Sequence, residues 1–293
     1  MTGKELVYRY DGSFEGLLCC IFESFVHKEH PVDILSQEEA QGLLYPERWI
    51  ETDEAHADRV FISLRRKISA EASRLVQEGF LTCAPQKELM LYRYVCLGYR
   101  YGAAVTNMLT NDTVNAVNKA VQHLGNEAHL LKGFIRFSEH AGALTSVITP
   151  KNWVLPLLQP HFCDRYPQEN FLIYDATHRS ALLSQRGEWA IAPLDSFEPP
   201  PPDLKEAAFR ALWKRFYDTI AIEGRYNPRC RMSHMPKRYW GNMTEHCQQQ
   251  LPQQVTMEML RAPSGAQAVP SGTAENSRLL RPQAQREEEQ ADG

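Results

Sequence analysis

The sequence lacks long apolar runs, closely spaced cysteine pairs and an apolar N-terminal segment. No hydrophobic stretch in its 293 residues approaches the ~18 residues of a transmembrane helix, and the N-terminus does not resemble a signal peptide. The seven cysteines include no Cys-x-x-Cys pair, the spacing typical of structural zinc and redox sites. We therefore expect a cytoplasmic protein with no membrane segment, bound metal or other cofactor.

Local signatures of nucleotide binding and hydrolysis are absent as well. The sequence contains no Walker loop and no Gly-x-Gly-x-x-Gly, His-Glu-x-x-His or Gly-x-Ser-x-Gly motif. An active site assembled from residues far apart in the sequence would leave no such signature. Whether the chain is an enzyme therefore stays open.

Neither sign of charge dominates the whole chain, but the basic residues are unevenly distributed. Lysine and arginine number 32 against 36 acidic residues, a net charge of −4. Residues 205–240 hold nine basic and three acidic residues, a net charge of +6, which leaves −10 for the remainder. A phosphate backbone responds to a local basic patch rather than to the global sum. This segment favours an anionic partner.

Apolar periodicity predicts that the first part of the chain is mostly helical. Short strands are predicted over residues 6–10 and 48–51, and an amphipathic helix begins near Phe14. Ser69 and Asn111 are predicted helix N-caps, with Thr110 as an alternative to Asn111. Further helices are predicted over residues 55–68, 69–80, 86–108 and 111–131.

The middle of the chain changes to a strand period. Residues 133–138 and 144–148 predict one hairpin, and residues 171–175 and 181–189 predict another. Between them, residues 153–164 predict a helix. Two hairpins around one helix predict a central antiparallel sheet of four strands, and hence an α+β fold.

A basic helix is predicted near the end of the folded region. After four prolines at 199–202, Asp203 and Glu206 form a capping-box-like start. One face of this helix is apolar and consists of Phe209, Leu212, Trp213, Phe216 and Ile220. We predict a mostly helical region over residues 1–110, an α+β region with a basic C-terminal helix and loop over 111–246, and a disordered low-complexity tail over 247–293.

Two constellations could bind an anion. In the first, His129 and Lys132 share a helical face, Gly133 allows the helix to pass into a strand, and Arg136 points out of that strand. These side chains could hold a phosphate or a carboxylate. An exposed basic face above an apolar core explains the same spacing.

The second constellation interleaves basic and aromatic residues in the segments 212–217, 225–227 and 235–240. Binding to a nucleic-acid backbone with stacking on its bases requires this combination. Alternatively, the aromatic rings belong to the core and the basic side chains surround them in solvent.

Both constellations lie in segments that resemble a bacterial family of probable DNA metabolism or putative DNA repair proteins, also described as a domain of unknown function. The Met-Pro-Lys-Arg-Tyr-Trp block at 235–240 is the most specific match. The other matches span about residues 5–245: Tyr-Asp-Gly-Ser-Phe-Glu-Gly-Leu-Leu (10–18), His-Leu-Leu-Lys-Gly-Phe-Ile-Arg-Phe (129–137), His161-Phe162 with Arg165, Ile173-Tyr174-Asp175 with Arg179, Leu-Trp-Lys-Arg-Phe-Tyr-Asp-Thr-Ile (212–220) and Arg-Tyr-Asn-Pro (225–228).

The resemblance implies a partnership with a radical SAM protein in DNA repair or modification. Similar domains in some bacteria are joined to a uracil-DNA glycosylase-like domain, but this chain lacks a glycosylase-type Gly-Gln-Asp-Pro motif and so resembles the stand-alone form. Related domains often carry an acidic residue before a proline after the first hairpin, where this chain has Thr149 and Pro150. The missing carboxylate favours binding over catalysis.

The leading hypothesis is a DNA-binding accessory factor that acts with a radical SAM enzyme. In this hypothesis Tyr239 or Trp240 stacks on bases or packs behind the basic side chains. His129, Lys132 and Arg136 form a second anion-binding cluster. The phosphate contacts come from Lys214, Arg225, Lys237 and Arg238.

Two rival hypotheses remain. In one, the chain is an enzyme that acts on DNA, with His129 as acid or base and Asp175 and Arg179 as neighbours. That hypothesis requires His129 and Asp175 to line one site. In the other, the chain is a protein-binding adaptor whose basic face meets an acidic patch on the radical SAM partner.

Overall fold

The computed structural model describes residues 6–37, 45–220, 222, 224, 227–246 and 255–261. The chain divides into two compact units, Met1–Asn126 and Glu127–Gly293. This division falls inside the helix α5 (Asp112–Phe134), whereas the second region predicted from the sequence begins at residue 111. Within the described residues, no helix is long and apolar enough to span a membrane.

The first unit combines a small parallel sheet with four complete helices and the first part of α5. Its strands are β1 (Val7–Tyr10), β2 (Asp33–Ser36) and β3 (Glu47–Trp49), in the order β2-β1-β3. The strand β2 is not among those predicted from the sequence. The helices are α1 (Phe14–His27), α2 (Glu54–Ser63), α3 (Ala70–Phe80) and α4 (Lys87–Tyr101), with a π-helical segment Leu64–Ile68 after α2 and a 3-10 segment Gly102–Asn107 after α4.

Local chemistry explains where these helices begin. The Ser69 hydroxyl accepts a hydrogen bond from the Ala72 N–H at 3.0 Å, and the Asn111 side chain accepts one from the Thr113 N–H at 3.0 Å. Both residues are N-caps, as predicted, because each satisfies a backbone donor that the first turn leaves unpaired. The apolar faces of α1, α3 and α4 share one core with Tyr8 and Tyr10. The mostly helical character predicted for this half is confirmed.

The second unit is built on a five-stranded mixed sheet. Its order is β4-β5-β6-β7-β8, and β5 and β6 run parallel while the other neighbours run antiparallel. After the sheet come α7 (Leu204–Thr219), α8 (Pro228–His234), a 3-10 segment Lys237–Asn242 and α9 (Met257–Arg261). The elements of the sheet region are β4 (Ser138–His140), β5 (Ala143–Ile148), α6 (Leu155–Arg165), β6 (Phe171–Asp175), β7 (Ser180–Gln185) and β8 (Glu188–Pro193).

The α+β class is confirmed, but the prediction of an antiparallel four-stranded sheet was wrong. The helix α6 is a crossover that returns the chain to the same end of the sheet, so β6 starts parallel to β5. A hairpin turn could not make this connection. The strand β6 is buried along its whole length, as expected for a strand covered on both faces.

The strand predicted over residues 133–138 is also shorter than expected, since β4 covers only Ser138–His140. The helix α5 continues through Gly133 to Phe134, and the Ile135 N–H still donates to the Leu131 carbonyl at 3.0 Å. A glycine inside a helix costs only about 1 kcal/mol relative to alanine, which the surrounding turns offset. Gly133 therefore does not end the helix, and Arg136 lies between α5 and β4 rather than on a strand.

Candidate nucleic-acid interface

Arg136 joins the middle of the chain to its C-terminal segment. Its Nη2 donates to Glu245 Oε1 at 2.7 Å, and its Nε lies 3.2 Å from both carboxylate oxygens. The Arg136 guanidinium also lies 5.4 Å from the ring centroid of Trp213 on α7. The two constellations, which are separate in the sequence, therefore meet at Arg136.

Glu245 is the buried counter-charge of this junction. Its side chain is 1% exposed, whereas that of Arg136 is 22% exposed. Burial alone would raise the pKa of Glu245, but hydrogen bonds and the charge of Arg136 outweigh burial and lower it. The carboxylate stays ionised and fixes Arg136, so this arginine is committed to an internal partner.

A second group of cations surrounds Trp240. The Arg231 guanidinium lies 4.7 Å from its ring centroid, the Lys237 Nζ lies 5.9 Å from it, and the His246 ring stacks on it at 4.5 Å. The indole N–H of Trp240 donates to the Met235 carbonyl at 3.0 Å, which orients the ring. Trp240 is therefore a fixed aromatic platform rimmed by positive charge.

His246 lies close enough to several nearby cations for their charges to affect its pKa. Burial lowers its pKa, the charges of Arg231, Lys214 and Arg136 lower it further, and Glu245 opposes them. His246 Nε2 and Arg231 Nε are buried without a hydrogen-bond partner in the described ranges. Unpaired buried polar atoms are costly. We call Arg136, Trp213, Lys214, Arg231, Lys237, Trp240 and His246 the basic–aromatic surface.

The helix α7 leaves its predicted apolar face open. Its buried side chains are Glu206, Ala208 and Ala211, and the rings of Trp213 and Phe216 stack on each other at 5.7 Å. We call the exposed face the apolar stripe of α7; it consists of Phe209 (48% exposed), Leu212 (37%), Trp213 (38%), Phe216 (53%) and Ile220 (58%).

Arg238 and Tyr239 have internal partners. Arg238 Nη2 lies 3.2 Å from Glu127 Oε1 and also contacts the Tyr239 hydroxyl, which donates to the same carboxylate oxygen at 3.2 Å. Tyr239 is 2% exposed, so its ring is inaccessible for stacking on a base. It packs behind the basic side chains, the second of the two roles considered for it.

Glu127 anchors the connection between β5 and α6. Its carboxylate accepts hydrogen bonds from the Lys151 N–H and from both the N–H and the side-chain amide of Asn152. Burial would raise the pKa of Glu127, but these hydrogen bonds and the charge of Arg238 lower it. The family-like block 235–240 is thus tied to the β5 end of the sheet.

The carboxyl ends of the parallel strands β5 and β6 hold a second polar group. Thr149, which follows β5, accepts a hydrogen bond from the Asn242 side chain at 3.2 Å. At the end of β6, the fully buried Asp175 accepts one from the Nδ1 of His178 at 2.7 Å. Because ligands of α/β sheets bind outside the carboxyl ends of parallel strands, this edge is a second candidate site.

The described residues show no contact between His129 and the Asp175–His178 pair. His129 is exposed on α5, and no hydrogen bond joins it to Asp175 in the described part of the chain. Asp175 instead pairs with His178, which is absent from the residues predicted from the sequence although the Asp-x-x-His spacing was visible. Arg179 is exposed next to this pair, with a left-handed φ of 48° that completes the turn between β6 and β7.

Two further residues, Lys132 and Arg225, are predicted from the sequence to bind an anion. Lys132 lies on the last turn of α5. Burial lowers the pKa of His161 on α6, and the charge of Lys132 lowers it further. Arg225 lies outside the described residues, as does most of the predicted tail. Among the described residues, no group of three or more His, Cys, Asp or Glu side chains could hold a metal ion.

Comparison with known proteins adds one match. The model of a domain of unknown function, DUF4130, matches residues 85–245. The chain belongs to the DUF4130 family. No curated protein and no solved structure matches it.

The DUF4130 match contains most of the candidate interface. It includes Arg136, α7, Trp240, Glu245 and both residues of the Asp175–His178 pair, and it ends one residue before His246. It begins within the first unit, near the start of α4. The DUF4130 region thus contains the second candidate site and all of the basic–aromatic surface except His246.

Proposed function

We propose that this protein is a DNA-binding accessory factor that binds single-stranded DNA through the basic–aromatic surface. The observation that carries the proposal is the position of Arg136, which lies over the Trp213 ring and pairs with Glu245. This contact joins two basic and aromatic segments that are far apart in the sequence. Cations next to aromatic rings combine phosphate attraction with base stacking, the two requirements of single-strand binding.

The wider role that we propose is in DNA repair or modification, together with a radical SAM protein. Its support is the resemblance of the segments 129–137, 212–220 and 235–240 to the probable DNA metabolism family. The structure brings these three segments into contact, since Arg136 contacts Trp213 and the Phe134 ring centroid lies 5.6 Å from that of Tyr239. A shared function of these segments would explain why they occur together.

The decisive test is fluorescence anisotropy with labelled single- and double-stranded DNA across a salt series. The variant is Lys214→Gln/Lys237→Gln, because among the described residues neither lysine pairs with a buried carboxylate. Lys214 pairs with the exposed Asp218 at 3.1 Å, and Lys237 lies over the Trp240 ring. Removing one contact to a phosphate of single-stranded DNA should lower the salt slope by about 0.7, so the double substitution should lower it by about 1.4. Arg238 is unsuitable because its loss would unpair the buried Glu127.

The matched control removes the same charge from the first unit. Lys67→Gln/Lys119→Gln changes two exposed lysines and should leave the slope unchanged. Equal slopes for wild type and both variants would refute the proposed phosphate contacts. Absence of binding at low salt would refute DNA binding itself.

The apolar stripe of α7 favours a protein-binding adaptor as a second candidate. Exposed apolar faces of this kind mark protein–protein contacts. A pull-down of the radical SAM partner, with and without nuclease, separates the candidates. Capture that survives nuclease and fails for Phe216→Ser would support the adaptor, whereas capture that disappears on nuclease treatment would indicate a DNA bridge.

The Asp175–His178 pair favours an enzyme as a third candidate. A carboxylate only accepts hydrogen bonds, so the pairing places the proton on Nδ1 and leaves Nε2 of His178 as a base. His178 is partly exposed, with 29% of its side chain accessible. Processing of single-stranded oligonucleotides that is abolished in His178→Gln but kept in His129→Gln would support this candidate, and equal rates in both would eliminate it.

A further inference from the structure

Three basic side chains gather where α5 ends against α6. His161 and Arg165 lie one turn apart on α6 and so share a face. The ring of Phe137, just beyond α5, contacts Phe162 at 5.6 Å, which packs this end of α5 onto α6. Lys132 lies on that last turn of α5, close enough to influence His161.

These side chains have no anionic partner of their own. Within the described ranges, none of Lys132, His161 and Arg165 forms a hydrogen bond or an ion pair, and Arg165 only lies over the Tyr166 ring at 5.7 Å. Burial lowers the pKa of His161, the charges of Lys132 and Arg165 lower it further, and Asp164 opposes them. Asp164 offsets only part of the repulsion among these cations, and an anion placed among them would offset more of it.

We propose that Lys132, His161 and Arg165 form a phosphate-binding site separate from the basic–aromatic surface. Arg165 supplies a guanidinium fork that matches a phosphate group, and Lys132 supplies a compact positive charge. His161 becomes a further donor when an anion favours its protonated form. The ligand is a phosphate group, either on a DNA strand or on a small phosphorylated molecule.

Histidine ring NMR with inorganic phosphate tests the site directly. The His161 signals, assigned with His161→Gln, should shift saturably with phosphate at constant ionic strength, and the pKa of His161 should rise. Lys132→Gln/Arg165→Gln should abolish both effects while the signals of the other histidines keep their folded positions. Lys119→Gln/Lys151→Gln, which removes two exposed lysines elsewhere, should leave both effects intact.

Two results would overturn the assignment. One is an equal response of His161 to chloride and phosphate, which would mean general screening only. The other is an unchanged phosphate response in Lys132→Gln/Arg165→Gln.

A titration with single-stranded DNA then shows whether the bound phosphate group belongs to a DNA strand or to a small molecule. If it belongs to a DNA strand, Lys132→Gln/Arg165→Gln should lower the single-strand salt slope by about 1.4. If the slope is unchanged while phosphate binding is confirmed, the ligand is a small phosphorylated molecule. Because the NMR test uses phosphate alone, the site stands or fails independently of DNA binding.

Discussion

Replacing Arg136 with methionine should destabilise the second unit by about 3–4 kcal/mol. Removing one partner of a buried ion pair costs about 3–5 kcal/mol because the other charge stays buried. Glu245 is 1% exposed, which supports that range, but Arg136 is 22% exposed, which places the cost at its lower end. Removal of the cation from the Trp213 ring adds about 0.5–1 kcal/mol.

Most of this loss of folding free energy should disappear when both charges are removed. In Arg136→Met/Glu245→Met no buried charge is left unpaired, so we expect a net destabilisation of less than about 1 kcal/mol. Urea unfolding followed by tryptophan fluorescence measures all three variants, and the double-mutant cycle gives the coupling energy. A coupling of about 2 kcal/mol or more is expected.

An exposed pair provides the matched control. Arg74 bonds to Glu78 at 3.0 Å on the surface of α3, and 58% of the Arg74 side chain is exposed. Arg74→Met should therefore cost no more than about 0.5 kcal/mol. If Arg136→Met were equally mild, Glu245 would not depend on Arg136 and the proposed junction would be refuted.

Three further outcomes follow from the geometry. Gly16→Ala should destabilise by about 1–3 kcal/mol in urea unfolding, because the added Cβ would lie 2.4 Å from a carboxylate oxygen, whereas Gly133→Ala, with open space around it, should stabilise. Ser69→Ala should cost about 1 kcal/mol in the same assay through loss of the α3 cap. Folding lowers the pKa of both His246 and Glu127, so their contributions to stability should be lost as the pH falls, below about 6.5 for the histidine and below about 4.5 for the glutamate, in unfolding measured across pH.

Helices and caps were predictable because their signals are local. The apolar spacing after Phe14 and the position of Ser69 lie within single turns, and both features occur as predicted. Strand direction has no such local signal. The apolar residues in 144–148 and 171–175 fit strands with either parallel or antiparallel neighbours, and only the crossover of α6 decides between them.

The candidate site was only partly predictable for the same reason. The basic and aromatic residue types were visible, but their partners are remote: Glu245 lies 109 residues from Arg136, in a segment without a distinctive pattern. The apolar face of α7 was visible too, yet periodicity does not tell whether such a face is covered. His178 had a local signal, the spacing from Asp175, which becomes meaningful only once Asp175 is known to be buried.

The net charge of the basic segment overstates what DNA can reach. Arg210 and Arg238 pair with the buried carboxylates of Glu206 and Glu127, and Lys205 pairs with Glu139. Replacing such partners with phosphate would unpair a buried charge, whereas the exposed Lys214–Asp218 pair can be exchanged at little cost.

The cations that we propose for contact with phosphate are therefore Lys214, Arg231 and Lys237. The last two lie over the Trp240 ring. Under the proposed function, two or three phosphate contacts would give a salt slope of only about 1.4–2, and base stacking would have to supply the rest of the affinity. Duplex DNA hides its base faces, and this surface therefore suits a single strand.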